Sequence, residues 1–184
     1  TVDLSAFYFD IRKDVLYCDP INSEKRKSTI ILLNIILNSL LKWFAPILSF
    51  TTEEIYRLIK KDHKSIHLEK FLNFPKQFKN LDLGNKMNEI IKIRDVCNIS
   101  IEEKRASKEI GSSLEADIEI KLNKRLFELS QHLDFSEFCI TSKSSVVQSD
   151  SDEIIVITKK AEGSKCPICW KVKLGSCERS TCPI

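Results

Sequence analysis

Residues 114–122, LEADIEIKL, mark the place where the pattern of the sequence changes. Apolar side chains occupy every second position from Leu114 to Leu122, and a charged side chain stands at each position between them. A period of two is typical of a strand with one buried face. Gly111, just before this stretch, predicts the end of a preceding helix. We therefore expect a helical region up to about residue 110 and an α+β unit after it.

The first long helix of the helical region is predicted around the apolar stretch 30–44. Asn22 or Ser23 is expected to cap its amino end. Pro46 is expected to end it, because proline has no amide hydrogen for the helix ladder. The second half of the stretch is apolar on nearly all sides, which predicts burial among other helices.

Two more helices are predicted before the strand. Thr51 and Glu54 have the spacing of a capping box, which predicts a helix that begins there. Residues 62–80 show no sustained period and are predicted to form a loop packed on the core. A third long helix is expected to begin near Asp82 or Asn85.

Beyond the strand the sequence predicts shorter elements. Residues 123–133 have leucines at helical spacing and predict a short helix. Residues 137–140 and 153–158 are predicted strands. The polar tract 141–152 between them is predicted to be a loop or a hairpin arm.

Composition indicates a soluble protein. Of the 184 residues, 42% are apolar and 30% are charged, and the formal charge of +3 is too small to indicate nucleic-acid binding by itself. The first residues carry no signal-peptide pattern, and the apolar run 29–41 is shorter than a membrane span. We expect a cytoplasmic monomer with no membrane partner. Residue 1 is Thr rather than Met, and the last residue, Ile184, lies two positions after Cys182, a candidate metal ligand. We therefore expect that both ends of the chain are cut.

Four of the seven cysteines crowd the carboxyl end, at Cys166, Cys169, Cys177 and Cys182. The spacing is C-x2-C, seven residues, then C-x4-C, which predicts one zinc ion held by four thiolates. A closed four-cysteine site is structural, because no coordination position remains for a reactive water. Two other interpretations stay open: four unrelated thiols, or a redox Cys-x-x-Cys at Cys166 and Cys169.

The predicted fold class follows from these elements: mainly α, with a helical bundle, then a small α+β unit, then a short zinc knuckle. The predicted domain ranges are 1–110, 111–160 and 161–184.

Aromatic and basic side chains accompany the cysteines. Trp170 is predicted either to stack on an unpaired base or to cover the metal. Lys171, Lys173 and Arg179 are predicted either to meet phosphates or only to solvate a small domain. The sequence predicts no catalytic residue, since the three histidines stand beside no nucleophile and there is no glycine-rich phosphate loop.

Several stretches of the chain resemble one family. They are residues 3–14 (DLSAFYFDIRKD), 16–18 (LYC), 43–55 (WFAPILSFTTEEI), 65–68 (SIHL), 94–96 (RDV), Arg105, 108–116 (KEIGSSLEA) and 166–170 (CPICW). In this order they resemble the carboxy-terminal region of bacterial-type isoleucyl-tRNA synthetases, which are class I enzymes. The second cysteine pair departs from that pattern, which usually has a longer spacer and a second C-x-x-C.

The resemblance implies a function. The bundle would hold the anticodon stem of tRNA(Ile), and the zinc module would reach the anticodon loop. The full enzyme would join isoleucine to its tRNA with ATP and Mg²⁺, in a catalytic domain of the same chain that lies outside these residues. The family's His-x-Gly-His and Lys-Met-Ser-Lys-Ser signatures are absent from the sequence, so this piece is expected to bind RNA without catalysis.

Two alternatives stay open at this point. The chain could be a free-standing, zinc-bearing RNA-binding factor derived from a synthetase. It could also be a structural interaction module in which zinc only fastens the terminal segment.

Overall fold

The computed structural model describes residues 2–60 and 64–175. Among these residues the chain forms two compact units. The helical unit consists of residues 21–79, and the sheet unit combines residues 1–20 with those from 80 onward. Cys177, Arg179 and Cys182 lie outside the described residues.

The helical unit begins with the long helix α2, Glu24–Phe44, which follows helix α1, Asp10–Cys18, of the sheet unit. The backbone N–H of Arg26 donates to Oγ of Ser23 at 3.3 Å, so Ser23 is the predicted cap. The helix ends two residues before Pro46, as the missing amide of proline requires. Both predictions for this helix are confirmed.

The next helix, α3, is Ser49–Ile59, and its predicted start is wrong. Leu48 is the N-cap residue, and no side chain caps it. The backbone amide and the hydroxyl of Thr52 both donate to the Leu48 carbonyl, each at 2.9 Å. Thr51 therefore lies inside the helix and makes no capping box with Glu54, because the first turn already closes on the Leu48 carbonyl.

A small core holds the helical unit, formed by Leu41, Ala45, Tyr56 and Ile66. Ile66 lies in a 3₁₀ turn, Ile66–Leu68, and a second such turn is Lys76–Phe78. The prediction that residues 62–80 pack on the core holds only for the first turn. Phe71 and Phe78 are mostly exposed, since the segment has few buried positions to offer them.

The carboxylate of Glu53 fastens that first turn to α3. It accepts hydrogen bonds from the Ser65 hydroxyl and the Ile66 amide, both at 2.9 Å, and from Nε of Arg57 at 2.7 Å. These donors stabilise the ionised carboxylate, above all the Ile66 amide, and lower the pKa of Glu53.

The second half of α2 is not buried all round as predicted. Its buried positions there are Ser39 and Leu41. The polar side chains within its apolar run bond to the backbone of the same helix. The side-chain amides of Asn34 and Asn38 donate to the carbonyls of Ile30 and Asn34, four residues earlier in each case. By length and composition alone, α2 is the one helix among the described residues that could span a membrane, which is weak evidence because core helices also meet that criterion.

The sheet unit contains the remaining elements. Its helices are a π-helical stretch Val2–Phe9 that continues into α1, Asp10–Cys18, then α4, Leu81–Ala106, then α5, Lys124–Ser130, and α6, Phe135–Phe138, with a 3₁₀ turn at Ser113–Glu115. Its strands are β1, Ala116–Leu122; β2, Lys143–Gln148; β3, Ile155–Lys160; β4, Ser164–Lys165; and β5, Val172–Lys173.

The main sheet has the order β2-β1-β3, with β1 parallel to β2 and antiparallel to β3. The apolar positions of β1 are fully buried, and they share one core with α4 and Phe135. The predicted strand with one buried face is therefore confirmed. Two buried thiols lie in this core, where the neighbouring Cys139 thiol and burial raise the pKa of Cys97 far above its usual range.

Helix α4 begins as predicted and ends earlier than predicted. Asn80 caps it by accepting from the Leu83 amide at 2.9 Å. The helix ends at Ala106, so Gly111 is not its stop. Lys108 takes the left-handed conformation there, with φ of 60°, and the Lys104 carbonyl accepts from the Glu109 amide at 3.1 Å.

Two predictions after β1 are wrong. Residues 137–140 contain the end of α6 and a turn rather than a strand, because Asp134 caps a helix by accepting from the Ser136 amide at 2.9 Å. The polar tract 141–152, predicted to be a loop or a hairpin arm, contains β2, which is no hairpin arm because it pairs in parallel with β1. The short helix in 123–133 and the strand in 153–158 are confirmed as α5 and β3.

The described chain is thus mainly helical with a small sheet, as the sequence predicted. The domain boundaries near 110 and 160 stay a prediction. Across the first of them, the side chain of Ser100 on α4 shares a 2.8 Å hydrogen bond with Thr158 on β3.

Candidate nucleic-acid interface and metal-binding turn

The first cysteine pair lies on the tight turn of the β4–β5 hairpin. Backbone hydrogen bonds close the turn, from the Cys166 amide to the Lys171 carbonyl at 2.9 Å and from the Trp170 amide to the Cys166 carbonyl at 3.0 Å. Trp170 has φ of 61°, a left-handed conformation that is uncommon for a bulky residue. Cys166 and Cys169 are both buried. The hairpin therefore fixes the two thiols on one short turn.

A glycine and a serine hold this hairpin in place. Gly163 has φ of 124°, and a Cβ built there would lie 2.1 Å from the Lys173 carbonyl oxygen, so only glycine fits. The amide of Val172 donates to Oγ of Ser142 at 2.6 Å. Ser142 in turn donates to the Leu114 carbonyl, which connects the hairpin to the segment before β1.

Helix α1 packs against the same turn. Cys18 and Ile168 pack around the buried cysteine pair, and the Cys18 thiol donates to the Ile168 carbonyl at 3.9 Å. Nζ of Lys171 lies 4.0 Å from Oδ2 of Asp14. The turn is thus supported from α1 as well as from the sheet.

The described pair fits one half of a tetrahedral thiolate site. Two buried thiols on a closed turn are the arrangement that a structural zinc requires from each cysteine pair. The other predicted ligands, Cys177 and Cys182, lie outside the described residues. Within residues 2–60 and 64–175, no three His, Cys, Asp or Glu side chains come together as a metal site.

The predicted RNA-binding residues have different surroundings. Trp170 is 59% exposed, and Nζ of Lys165 lies 5.7 Å from its ring centroid. The Lys171 side chain is only 12% exposed and faces Asp14. Lys173, on β5, is half-buried, and Arg179 falls outside the described residues.

Between α1 and the cysteine turn lies a cavity of about 330 Å³ with mostly apolar walls. Trp170 and Tyr17 both line it, and Tyr17 is 70% exposed. Asp14 and Lys171 also line it. Such a cavity can hold a flat, partly apolar group between aromatic side chains. Sequence reasoning missed Tyr17, whose only signal is an aromatic residue near the end of a short helix.

Two arginines from the resembling stretches have structural partners. Arg12 on α1 pairs with the carboxylate of Glu137. Nε of Arg94 donates to the Phe138 carbonyl at 2.8 Å, and its guanidinium lies 5.0 Å from the Phe7 ring centroid. These contacts connect α1, the preceding π-helical stretch and α4 to α6 and the residues after it. Ser136, Glu137 and Ile140 in that region form part of the cavity wall.

Comparison with known proteins gives one family match. The family described as "Anticodon-binding domain of tRNA ligase" matches residues 1–120.

Curated relatives match nearly the whole chain. An "Isoleucine--tRNA ligase" of Pelagibacter ubique (strain HTCC1062) is 66% identical over 179 residues, which are 97% of this chain and 20% of that protein. Proteins with the same name from Bartonella henselae and Agrobacterium fabrum (strain C58 / ATCC 33970) are each 40% identical, over 92% and 93% of this chain and 18% and 19% of theirs. The chain thus spans about a fifth of the length of these relatives.

Proposed function

The chain belongs to the family of anticodon-binding domains of tRNA ligases, and on that premise we propose that it is the tRNA-binding part of an isoleucine–tRNA ligase. The amino acid is suggested by the relatives, which are isoleucine–tRNA ligases by name and match almost all of this chain. The proposed partner is the anticodon stem-loop of tRNA(Ile).

The observation that carries the proposal is the exposed Trp170. It lies beside the buried cysteine pair and lines the apolar cavity together with Tyr17. Unpaired RNA bases are recognised by stacking on aromatic side chains and by hydrogen bonds to their edges. Trp170 is 59% exposed, and Tyr17 supplies a second ring to the lining of the same cavity. An unpaired anticodon base is therefore the proposed occupant of this part of the surface.

The basic residues divide into two roles. Lys173 and Arg179 are the proposed phosphate contacts, since lysine and arginine neutralise RNA phosphates. Lys171 faces Asp14 and is mostly buried, so its proposed role is to hold the turn against α1. A buried lysine beside a carboxylate is poorly placed to reach a phosphate.

The proposed metal is one structural zinc held by Cys166, Cys169, Cys177 and Cys182. When bound, zinc would cross-link the terminal segment. It would activate no water, because four thiolates occupy all of its coordination positions. The hairpin supports the first two ligands through its backbone hydrogen bonds and Gly163.

For the whole protein, the proposal extends to ATP- and Mg²⁺-dependent charging of tRNA(Ile) with isoleucine in a catalytic domain outside this chain. The chain itself supplies binding energy, which specificity can use at a distant site. A cytoplasmic monomer is the proposed state.

Binding measurements test the anticodon proposal. At fixed moderate salt, the zinc-loaded chain should bind an isoleucine tRNA stem-loop at least tenfold more tightly than one with altered anticodon bases, about 1.4 kcal/mol. Zinc removal should weaken binding of the cognate loop by a similar factor. If neither change alters the dissociation constant, the cysteine turn does not read the anticodon.

A pair of tryptophan variants localises the contact. Trp170→Ala should weaken cognate binding about tenfold, because stacking of one base contributes about 1–3 kcal/mol. Trp43→Ala is the matched control, since Trp43 on α2 is similarly exposed at 54%, and any stem contact there should affect cognate and altered anticodon loops equally. Equal effects of the two variants would contradict a stacking role for Trp170.

A further inference from the structure

A second surface of the sheet unit carries an excess of lysines in a groove. The groove has a volume of about 480 Å³ and lies between one end of the three strands of the main sheet and the β4–β5 hairpin. Its lysines are Lys143, Lys159, Lys160 and Lys173. Asp117 and Glu162 are the acidic residues of its wall, so the residues that line the groove include four lysines and two carboxylates.

The strand register brings two of these lysines together, Lys143 and Lys159, whereas Lys160 lies opposite Ala116 and so belongs to the other face of the sheet. Asp117 on the central strand lies opposite Lys143 on β2 and opposite Lys159 on β3. Neighbouring strands are about 4.8 Å apart, so one carboxylate stands between two ammonium-bearing side chains. Nζ of Lys143 lies 3.5 Å from Oδ2 of Asp117, and the Lys143 side chain is still 70% exposed.

The other three lysines of the groove have no acidic partner within ion-pair distance among the residues that the structure describes. Lys159 and Lys160 are exposed at the end of β3, and Lys173 projects from the hairpin that carries the cysteine turn. Unpaired ammonium groups on a concave surface attract anions, and the concave shape concentrates the field.

From this groove we infer a binding site for RNA phosphates, continuous with the cysteine turn through Lys173. The inference rests on the proposed function and adds Lys143, Lys159 and Lys160 to it. No aromatic residue lines the groove, so it offers no platform for base stacking. Phosphate contacts position an RNA without reading its sequence, while base contacts specify it. The groove would hold the RNA backbone while the turn meets the bases.

Salt titration tests the inference. The logarithm of the association constant for the isoleucine tRNA stem-loop is measured against the logarithm of salt concentration, with the zinc-loaded chain and with a Lys143→Ala, Lys159→Ala, Lys160→Ala triple variant. Each lost phosphate contact removes about 0.7–0.9 from the magnitude of the slope, so the triple variant should lose about 2. Affinity at low salt should fall at least tenfold, while the ratio between cognate and altered anticodons should stay the same.

A matched control removes the same charge elsewhere. Lys121 on β1 and Lys124 and Arg125 on α5 lie outside the groove and outside residues 1–110, which are expected to hold the anticodon stem. Their triple alanine variant should keep the slope of the unmodified chain. A variant with arginine at positions 143, 159 and 160 should also keep it, because the charge is retained. Circular dichroism checks that every variant folds.

Four results would overturn the inference. Equal slope losses in the groove and control variants would show only a net-charge effect. An unchanged slope in the groove variant, with anticodon-dependent binding intact, would remove the groove and leave the proposed function standing. Tighter binding of polyglutamate than of the stem-loop would assign the groove to an acidic protein segment. If the unmodified chain binds no RNA, the proposed function and the inference both fail.

Discussion

The sheet unit buries twelve residues in one apolar cluster, whereas the cluster of the helical unit buries four. In the sheet unit, β1 is covered by α4 and Phe135, and each of its apolar positions meets a buried neighbour. In the helical unit, large apolar side chains such as Phe50, Ile47 and Leu58 are mostly exposed. The helical unit instead relies on polar connections, including the Glu53 carboxylate and the 3.1 Å ion pair between Lys42 and Glu69.

This difference predicts which changes lower the folding stability of each unit. A unit held by apolar packing loses stability when buried volume is removed. A unit held by hydrogen bonds to carboxylates loses stability when those carboxylates are protonated. Four substitutions test this contrast, in decreasing order of the change in stability that we expect.

Phe135→Ala should have the largest effect, since Phe135 is fully buried in the sheet unit. The expected loss in free energy of unfolding is about 3–5 kcal/mol, from lost transfer energy and a new cavity. Urea unfolding measures it. The control is Phe50→Ala in the helical unit, where Phe50 is 92% exposed and the expected change is within about 0.5 kcal/mol. Similar losses in both variants would remove the contrast.

Gly163→Ala should come next and should act on the hairpin. The added methyl would collide with the Lys173 carbonyl, and the left-handed backbone adds strain of about 1–3 kcal/mol. We expect weaker zinc binding, measured by competition with a chelator, because the cysteine turn loses its support. The control is Gly84→Ala in α4, where nothing lies within 4 Å of the added methyl and the helix should gain about 1 kcal/mol. Unchanged zinc affinity in Gly163→Ala would contradict this account of the hairpin.

Thr158→Val should cost about 1 kcal/mol in the sheet unit. Thr158 is buried, and its hydroxyl shares a 2.8 Å hydrogen bond with the Ser100 hydroxyl. Valine keeps the shape and removes the bond. Thermal unfolding should show a lower midpoint, and Ser100→Ala should give no additional loss in the double variant. Fully additive losses would show that the two hydroxyls do not act as a pair.

Glu53→Gln should give the smallest change at neutral pH, and that change should depend on pH. Because hydrogen bonding lowers the folded-state pKa of Glu53, its contribution is fully present above the ordinary glutamate pKa. It is lost as pH falls through the lowered folded-state pKa. The variant should therefore differ from the unmodified chain at neutral pH and converge with it in acid, in urea titrations at several pH values. Glu54→Gln, on the exposed side of α3, is the control, and a pH-independent difference for Glu53→Gln would contradict the mechanism.

The sequence predicted the elements whose signals are local. Ser23 caps α2, Asn80 caps α4, and the alternation of β1 corresponds directly to its buried and solvent-facing sides. The missed elements lacked such signals. β2 is an edge strand with the sequence KSSVVQ, so it pairs through its backbone and needs few apolar residues. The four-residue helix α6 depends on the Asp134 cap, whose signal is easily overlooked before so short a helix.

The candidate site was predictable to the same extent. The spacing of Cys166 and Cys169 indicated a closed turn, and the structure places both thiols on one. Tyr17 and Trp170 are far apart in sequence, and only the packing of α1 against the turn brings them to one cavity. Lys143 and Lys159 belong to different strands, and their convergence on Asp117 depends on register. Tertiary placement of this kind cannot be read from spacing.

The central position of β1 has a consequence for the order of synthesis. β1 leaves the ribosome before both of its neighbours, when α4 and Ile110 are the parts of its buried cluster that have already been made. Its parallel partner β2 follows a crossover of about twenty residues, and β3 comes later still. Until then both edges of an apolar strand carry unpaired backbone groups, which can pair with another nascent copy. A translation product that stops before Ile155 lacks β3, would keep an open edge of β1 and is expected to aggregate.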